Sequence, residues 1–108
     1  MPDSPALPEF DLEAMQAHAG KAAKLLKALA NERRLQILCL LAGGERSVGE
    51  VNQMLDLSQS ALSQHLAVLR EEGLVGTRRE AQTIYYSLVP GPAAKVMTTL
   101  YGIYCGTP

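Results

Sequence analysis

The chain has 108 residues, 47% of them hydrophobic, which is enough to build one core in one domain. Its longest apolar run, Ile37 to Ala42, is too short to cross a bilayer, and no basic segment leads into an apolar block as in a secretory signal. The net charge of −1 hides an asymmetry: residues 1–20 hold Asp3, Glu9, Asp11 and Glu13 and no Lys or Arg, so residues 21–108 carry ten basic against seven acidic groups. A mildly basic body permits nucleic-acid binding without selecting it.

Pro2, Pro5 and Pro8 mark residues 1–10 as an extended or disordered leader, and residues 11–108 read as the folded domain. Asp11 is a candidate N-cap for a first helix whose apolar stripe runs through Leu12, Met15, Ala19, Ala22, Leu26 and Leu29, with Gly20 as a loosening point. Asn31 can cap a second helix that ends at Gly43-Gly44. Leu35, Ile37, Leu38, Cys39, Leu40 and Leu41 make that helix apolar almost all round, so it is expected at the centre of the core.

Ser47-Val-Gly-Glu50 has the capping-box pattern and opens a short helix with Val48, Val51 and Leu55 on one side. That helix ends near Asp56-Leu57, and Ser58 caps the next, with Leu62, Leu66 and Leu69 as the inner stripe. Two short helices abutting across a tight turn predict a helix-turn-helix. Gly73 closes the second of them. Leu74–Arg79 and Thr83–Leu88 then read as strands joined across Glu80-Ala81-Gln82. Gly91-Pro92 starts a last helix striped by Ala93, Val96, Met97, Leu100 and Tyr104. The expected fold is mainly α with one β-hairpin, a winged helix-turn-helix of order ααααββα.

In a helix-turn-helix the first helix braces the second, whose N-terminal end enters the major groove. That role asks for hydrogen-bonding side chains on the outer face near the helix start. Ser58, Gln59, Ser60, Ser63 and Gln64 meet the requirement, with His65 beside them and Arg70 further along. Gln pairs bidentately with adenine, and Ser serves base edges or phosphates. The hairpin adds Arg78 and Arg79 before its tip and Gln82 at it, positions from which a wing contacts the backbone and the minor groove. Each residue alone reads as ordinary polar surface. Together, behind a bracing helix and before an Arg-bearing hairpin, they point to sequence-specific recognition of double-stranded DNA. A winged-helix module that binds another protein is the competing reading.

From Leu25 to Cys105 the chain resembles the ArsR-type winged-helix transcriptional regulators. The resemblance is carried by Leu26-Lys-Ala-Leu-Ala-Asn-Glu-Arg-Arg-Leu35, by Leu57-Ser-Gln-Ser-Ala-Leu-Ser-Gln-His-Leu66, by Leu69-Arg-Glu-Glu-Gly-Leu-Val75 and by the wing from Arg78-Arg79 to Tyr86. It implies a cytoplasmic transcriptional regulator, no enzyme, that acts as a homodimer on a palindromic operator. The first and last helices of that dimer form the seam. The wing tip departs from the family, with Ala81-Gln82 in place of the common Gly-Arg. Metal-sensing relatives carry a Cys-x-Cys pair where this chain has Ser47-Val-Gly-Glu-Val51, or acidic and His ligands in the last helix, where Lys95 is the one charged residue. With His18 and His65 isolated, no metal or other cofactor is expected.

Cys39 and Cys105 are spaced neither as a disulfide framework nor as a zinc site, which suits a reducing cytosol. Read from the residues alone, Cys39 is a small core hydrophobe and Cys105 an incidental thiol. Within the family, however, the chain is most similar to the sulfide- and persulfide-responsive branch. That likeness implies a sensing pair, Cys39 and Cys105, linked through sulfur when reactive sulfur species appear, with DNA then released. A regulator with no thiol switch stays open. A thiol oxidoreductase is disfavoured, because no Cys-x-x-Cys pair is present.

Overall fold

A computed structural model describes residues 9–106; the first eight residues of the expected leader, and Thr107 and Pro108, lie outside the described residues. Helix α1 (Leu12–Leu29) begins at Asp11, whose carboxylate accepts from the backbone N–H of Glu13 at 3.0 Å and of Ala14 at 3.4 Å. It runs unbroken through Gly20. Helix α2 (Glu32–Ala42) begins the same way, the Asn31 side chain accepting from Arg33 N at 2.9 Å and Arg34 N at 3.1 Å. A two-residue strand, β1 (Arg46–Ser47), precedes α3 (Val48–Leu55) and α4 (Gln59–Glu71). Strands β2 (Val75–Glu80) and β3 (Thr83–Leu88) form the hairpin, and α5 (Pro92–Cys105) ends the chain.

The element order is thus ααβααββα, one strand more than the expected ααααββα. Arg46 pairs with Tyr86 and Ser47 with Tyr85, so β1 adds to the β3 edge of an antiparallel sheet of order β1-β3-β2. Nothing in Arg46-Ser47 signals a strand; its partner lies some forty residues on and supplies the hydrogen bonds. The hairpin register runs from Val75 opposite Leu88 to Glu80 opposite Thr83, leaving Ala81-Gln82 as a two-residue turn with Ala81 at φ +55°. At the other end, α4 stops in a Schellman motif: Gly73, at φ +73°, donates to Arg70 O at 3.0 Å and Leu74 donates to Leu69 O at 2.9 Å.

The core is a cluster drawn from every helix. Ile37, Leu38 and Leu41 of α2, Val51 of α3, and Leu62, Leu66 and Leu69 of α4 meet Ala28 and Leu29 of α1, Leu74 and Val75, and Ala93 of α5. Full burial of such side chains contributes about 1.5–3 kcal/mol each. The expectation for α2 therefore holds except at Cys39, which is exposed. The stripes of α1 and α5 hold only in part: their core contact is made by Ala28 and Leu29 with Leu25, and by Ala93 with Val96 and Met97, while Leu12 (70% exposed), Met15, Leu26, Ile103 and Tyr104 (81%) stand free of it.

Candidate nucleic-acid interface

Two adjoining caps shape the site. At the start of α3, Ser47 N donates to Glu50 Oε1 at 2.8 Å while Glu50 N donates to Ser47 Oγ at 3.2 Å, the reciprocal capping box. Hydrogen bonds from the Ser47 backbone and hydroxyl hold the Glu50 carboxyl below its ordinary range. Helix α3 ends at Asp56 in the left-handed region, φ +51°, a conformation that a short Asx side chain tolerates. Asp56, Leu57 and Ser58 make the turn, and Ser58 Oγ accepts from Ala61 N at 3.1 Å to start α4. Ser58 is therefore committed to the cap.

Because Leu62, Leu66 and Leu69 point inward, helical geometry puts Ser60, Gln64 and Ala67 on the opposite face, and all three are exposed. Gln59 is exposed at the helix start. Ser63 and Arg70 occupy the flank facing the wing, where they line a shallow groove with Ala67 and Glu71 of α4, Val48 of α3 and Tyr86 of β3. His65 sits on the other flank, half-buried, with Nδ1 3.5 Å from Arg34 Nη1. Arg34 in turn donates to Ala28 O at 2.6 Å and to Lys27 O at 3.4 Å, closing the last turn of α1. Burial first, then the Arg34 and Arg33 charges, lower the His65 pKa below its ordinary 6.5. His65 is thus packed against the α1–α2 junction, separate from the polar outer face.

The two wing arginines differ. Side chains alternate along a strand, and Arg79 shares a face with Thr77, whose register partner Tyr86 packs on the core beside α4. Arg79 is exposed and joins no ion pair among the described residues. Arg78 is on the opposite face. Its guanidinium grips Glu45 (Nη2–Oε1 2.7 Å, Nε–Oε2 3.1 Å), donates to Glu80 Oε2 at 2.7 Å, and stacks 4.7 Å from the centre of the Tyr85 ring. That arrangement raises the Arg78 pKa, and the Arg78 hydrogen bond holds the Glu45 carboxyl below its ordinary 4.5. Glu45 was invisible to sequence reasoning, since nothing local marks a loop glutamate whose partner is 33 residues on. Gln82 is exposed at the tip.

Both cysteines are free and exposed, so the reading of Cys39 as a core hydrophobe does not hold. One position beyond buried Leu38, it turns outward beside Arg33, Gln36 and Leu40, facing Met54 and Leu55 of α3. Cys105 is the last residue of α5. Among the described residues no three His, Cys, Asp or Glu side chains gather in a way that could hold a metal ion, and no helix is long and apolar enough to cross a membrane.

A braced helix with an exposed polar face, flanked by a β-hairpin, defines a winged helix-turn-helix protein. The pattern described as "bacterial regulatory protein, arsR family" matches residues 31–77. The chain is 55% identical over 96 residues to the transcriptional activator HlyU of Vibrio cholerae, covering 89% of both chains. Its structure is similar to that of the transcriptional repressor BigR from Xylella fastidiosa, with TM-score 0.83 and 43% identity, over 91% of this chain and 100% of that one. It is also similar to a homodimeric winged helix-turn-helix DNA-binding domain from Mycobacterium bovis, with TM-score 0.73 and 35% identity, over 91% and 89% of the two chains. The chain belongs to the arsR family of bacterial regulatory proteins: it is a DNA-binding transcription regulator and not an enzyme.

Proposed function

We propose that two copies of this chain present their α4 helices to successive major grooves of a palindromic operator, and that a link between Cys39 and Cys105 switches the binding. The observation that carries the first part is the division of α4. Leu62, Leu66 and Leu69 are buried, while Gln59, Ser60, Ser63 and Gln64 project from its first half with no intramolecular partner among the described residues. In this reading Ser60 and Gln64 read base edges, Ser63 and Arg70 hold the flanking phosphates, and Arg79 with Gln82 extends contact along the backbone.

Homodimerisation is supported by the apolar residues of α1 and α5 that this chain leaves uncovered, Leu12, Met15, Leu26, Ile103 and Tyr104. It is supported also by the homodimeric domain from Mycobacterium bovis to which the structure is similar. A two-fold pair sets half-sites about 34 Å apart, so a small rotation at the α1/α5 seam spoils the fit. The sign of the output stays with the operator's position, since the relatives include both an activator and a repressor.

The thiol part rests on accessibility: both cysteines are free and exposed, one on α2 and one at the bare C-terminal end of α5. One thiolate attacks an inorganic polysulfide and keeps a sulfane sulfur, and a shorter polysulfide leaves. The second thiol then attacks that persulfide and hydrosulfide departs, leaving Cys39 and Cys105 bridged; the polysulfide is the oxidant. The test uses a duplex that the wild-type protein selects from a random pool. S63A with Q64A is expected to abolish binding, and binding is expected to fall by about 10³–10⁵ between about 50 and 200 mM salt if six to ten phosphates are neutralised. C39S is expected to bind normally and to ignore polysulfide; release of DNA by treated C39S defeats the switch.

A further inference from the structure

We propose that Arg78 is a positioning residue of the wing and not a phosphate contact: anchored on Glu45, it ties the β2–β3 hairpin to the loop after α2 and so sets how far Arg79 and the tip stand from α4. All three guanidinium nitrogens are engaged, Nε and Nη2 by Glu45 and Nη1 by Glu80, and one face of the guanidinium plane is covered by the Tyr85 ring. Two carboxylates surround one cation. A phosphate approaching Arg78 meets net negative charge, and the guanidinium must abandon both partners to serve it. Arg79, its neighbour, has neither restraint and lies on the face turned towards α4.

The hairpin has need of such a tie. From Thr77 to Thr83 every residue is exposed, so no core packing holds the outer half. β1 supports β3 only at Tyr85 and Tyr86. Of the ion pairs among the described residues, Arg78–Glu45 is the one that joins the hairpin to another part of the fold. A forked guanidinium–carboxylate pair fixes orientation as well as distance, which a freely rotating lysine could not do.

The consequence for binding rests on the DNA reading above, whereas the tie itself is measurable in the free protein. The experiment compares E45Q, R78A and the double variant. Amide exchange of residues 77–84 without DNA is expected to quicken about fivefold in each single variant, the size of one well-formed exposed ion pair, and no further in the double variant. Affinity for the wild-type-selected duplex is expected to fall by a similar factor in all three, with the salt slope unchanged. Unaltered exchange in the single variants overturns the tie. So does tighter binding by E45Q with a steeper slope, or a loss in R78A alone with the slope reduced by about 0.9, because each marks Arg78 as a phosphate contact. If the wild type selects no duplex, the DNA reading falls and the exchange result still decides the tie.

Discussion

Helices α1 and α2 are joined by Ala30 and Asn31 alone, and each starts at an Asx cap. Their apolar residues nevertheless meet different surroundings. Ile37, Leu38 and Leu41 of α2 are buried by the protomer's own α3, α4 and α5, whereas Leu12, Met15 and Leu26 of α1 face outward and the helix meets the core only near its C-terminal end, at Leu25, Ala28 and Leu29. α5 repeats the division within itself, buried at Ala93 and bare at Ile103 and Tyr104. Helical spacing of apolar residues therefore shows that a face is to be covered, and is silent about which chain covers it.

The contrast can be broken by substitution. L38A removes a fully buried side chain from the middle of the core and is expected to lower stability by about 2–5 kcal/mol, read from the urea midpoint. L12A combined with Y104A, by contrast, is expected to change the stability of dilute protein by no more than about 0.5 kcal/mol. The same pair should shift sedimentation towards the monomer, and should abolish any rise of the wild-type midpoint with protein concentration. Should L12A/Y104A destabilise dilute protein as much as L38A, α1 and α5 are packed within the protomer after all.

A second contrast, between the outer face of α4 and its flank, sharpens the first. Q64A is expected to lose about 1–3 kcal/mol of affinity for the selected duplex with the unfolding midpoint unmoved. S58A should cost about 1 kcal/mol of stability through the lost cap, and its effect on binding should follow from that. The smallest effect is expected at His65. The fold favours its neutral ring, so as pH falls below 6.5 the unfolded chain takes up a proton before the folded one does. Stability is complete above 6.5 and declines as pH drops through the folded-state value. Midpoints at about pH 7.5 and about pH 5.5 should differ in the wild type and less so in H65Q. Glu45 and Glu50, both held low, add a further decline only below their ordinary 4.5.

What could be read from sequence was what closes within a few residues. The caps at Asp11, Asn31, Ser47 and Ser58 each join a side chain to a backbone N–H two or three positions on, so residue type and spacing suffice to find them. The Leu62, Leu66 and Leu69 stripe likewise assigned the outer face of α4 without reference to anything distant. Tertiary structure alone decided the rest: that Arg46-Ser47 becomes a strand, that Arg78 is gripped by Glu45, that His65 turns to Arg34, and that Cys39 faces solvent. Each depends on a partner brought close by the packing of other elements, and no local period or propensity encodes which partner arrives.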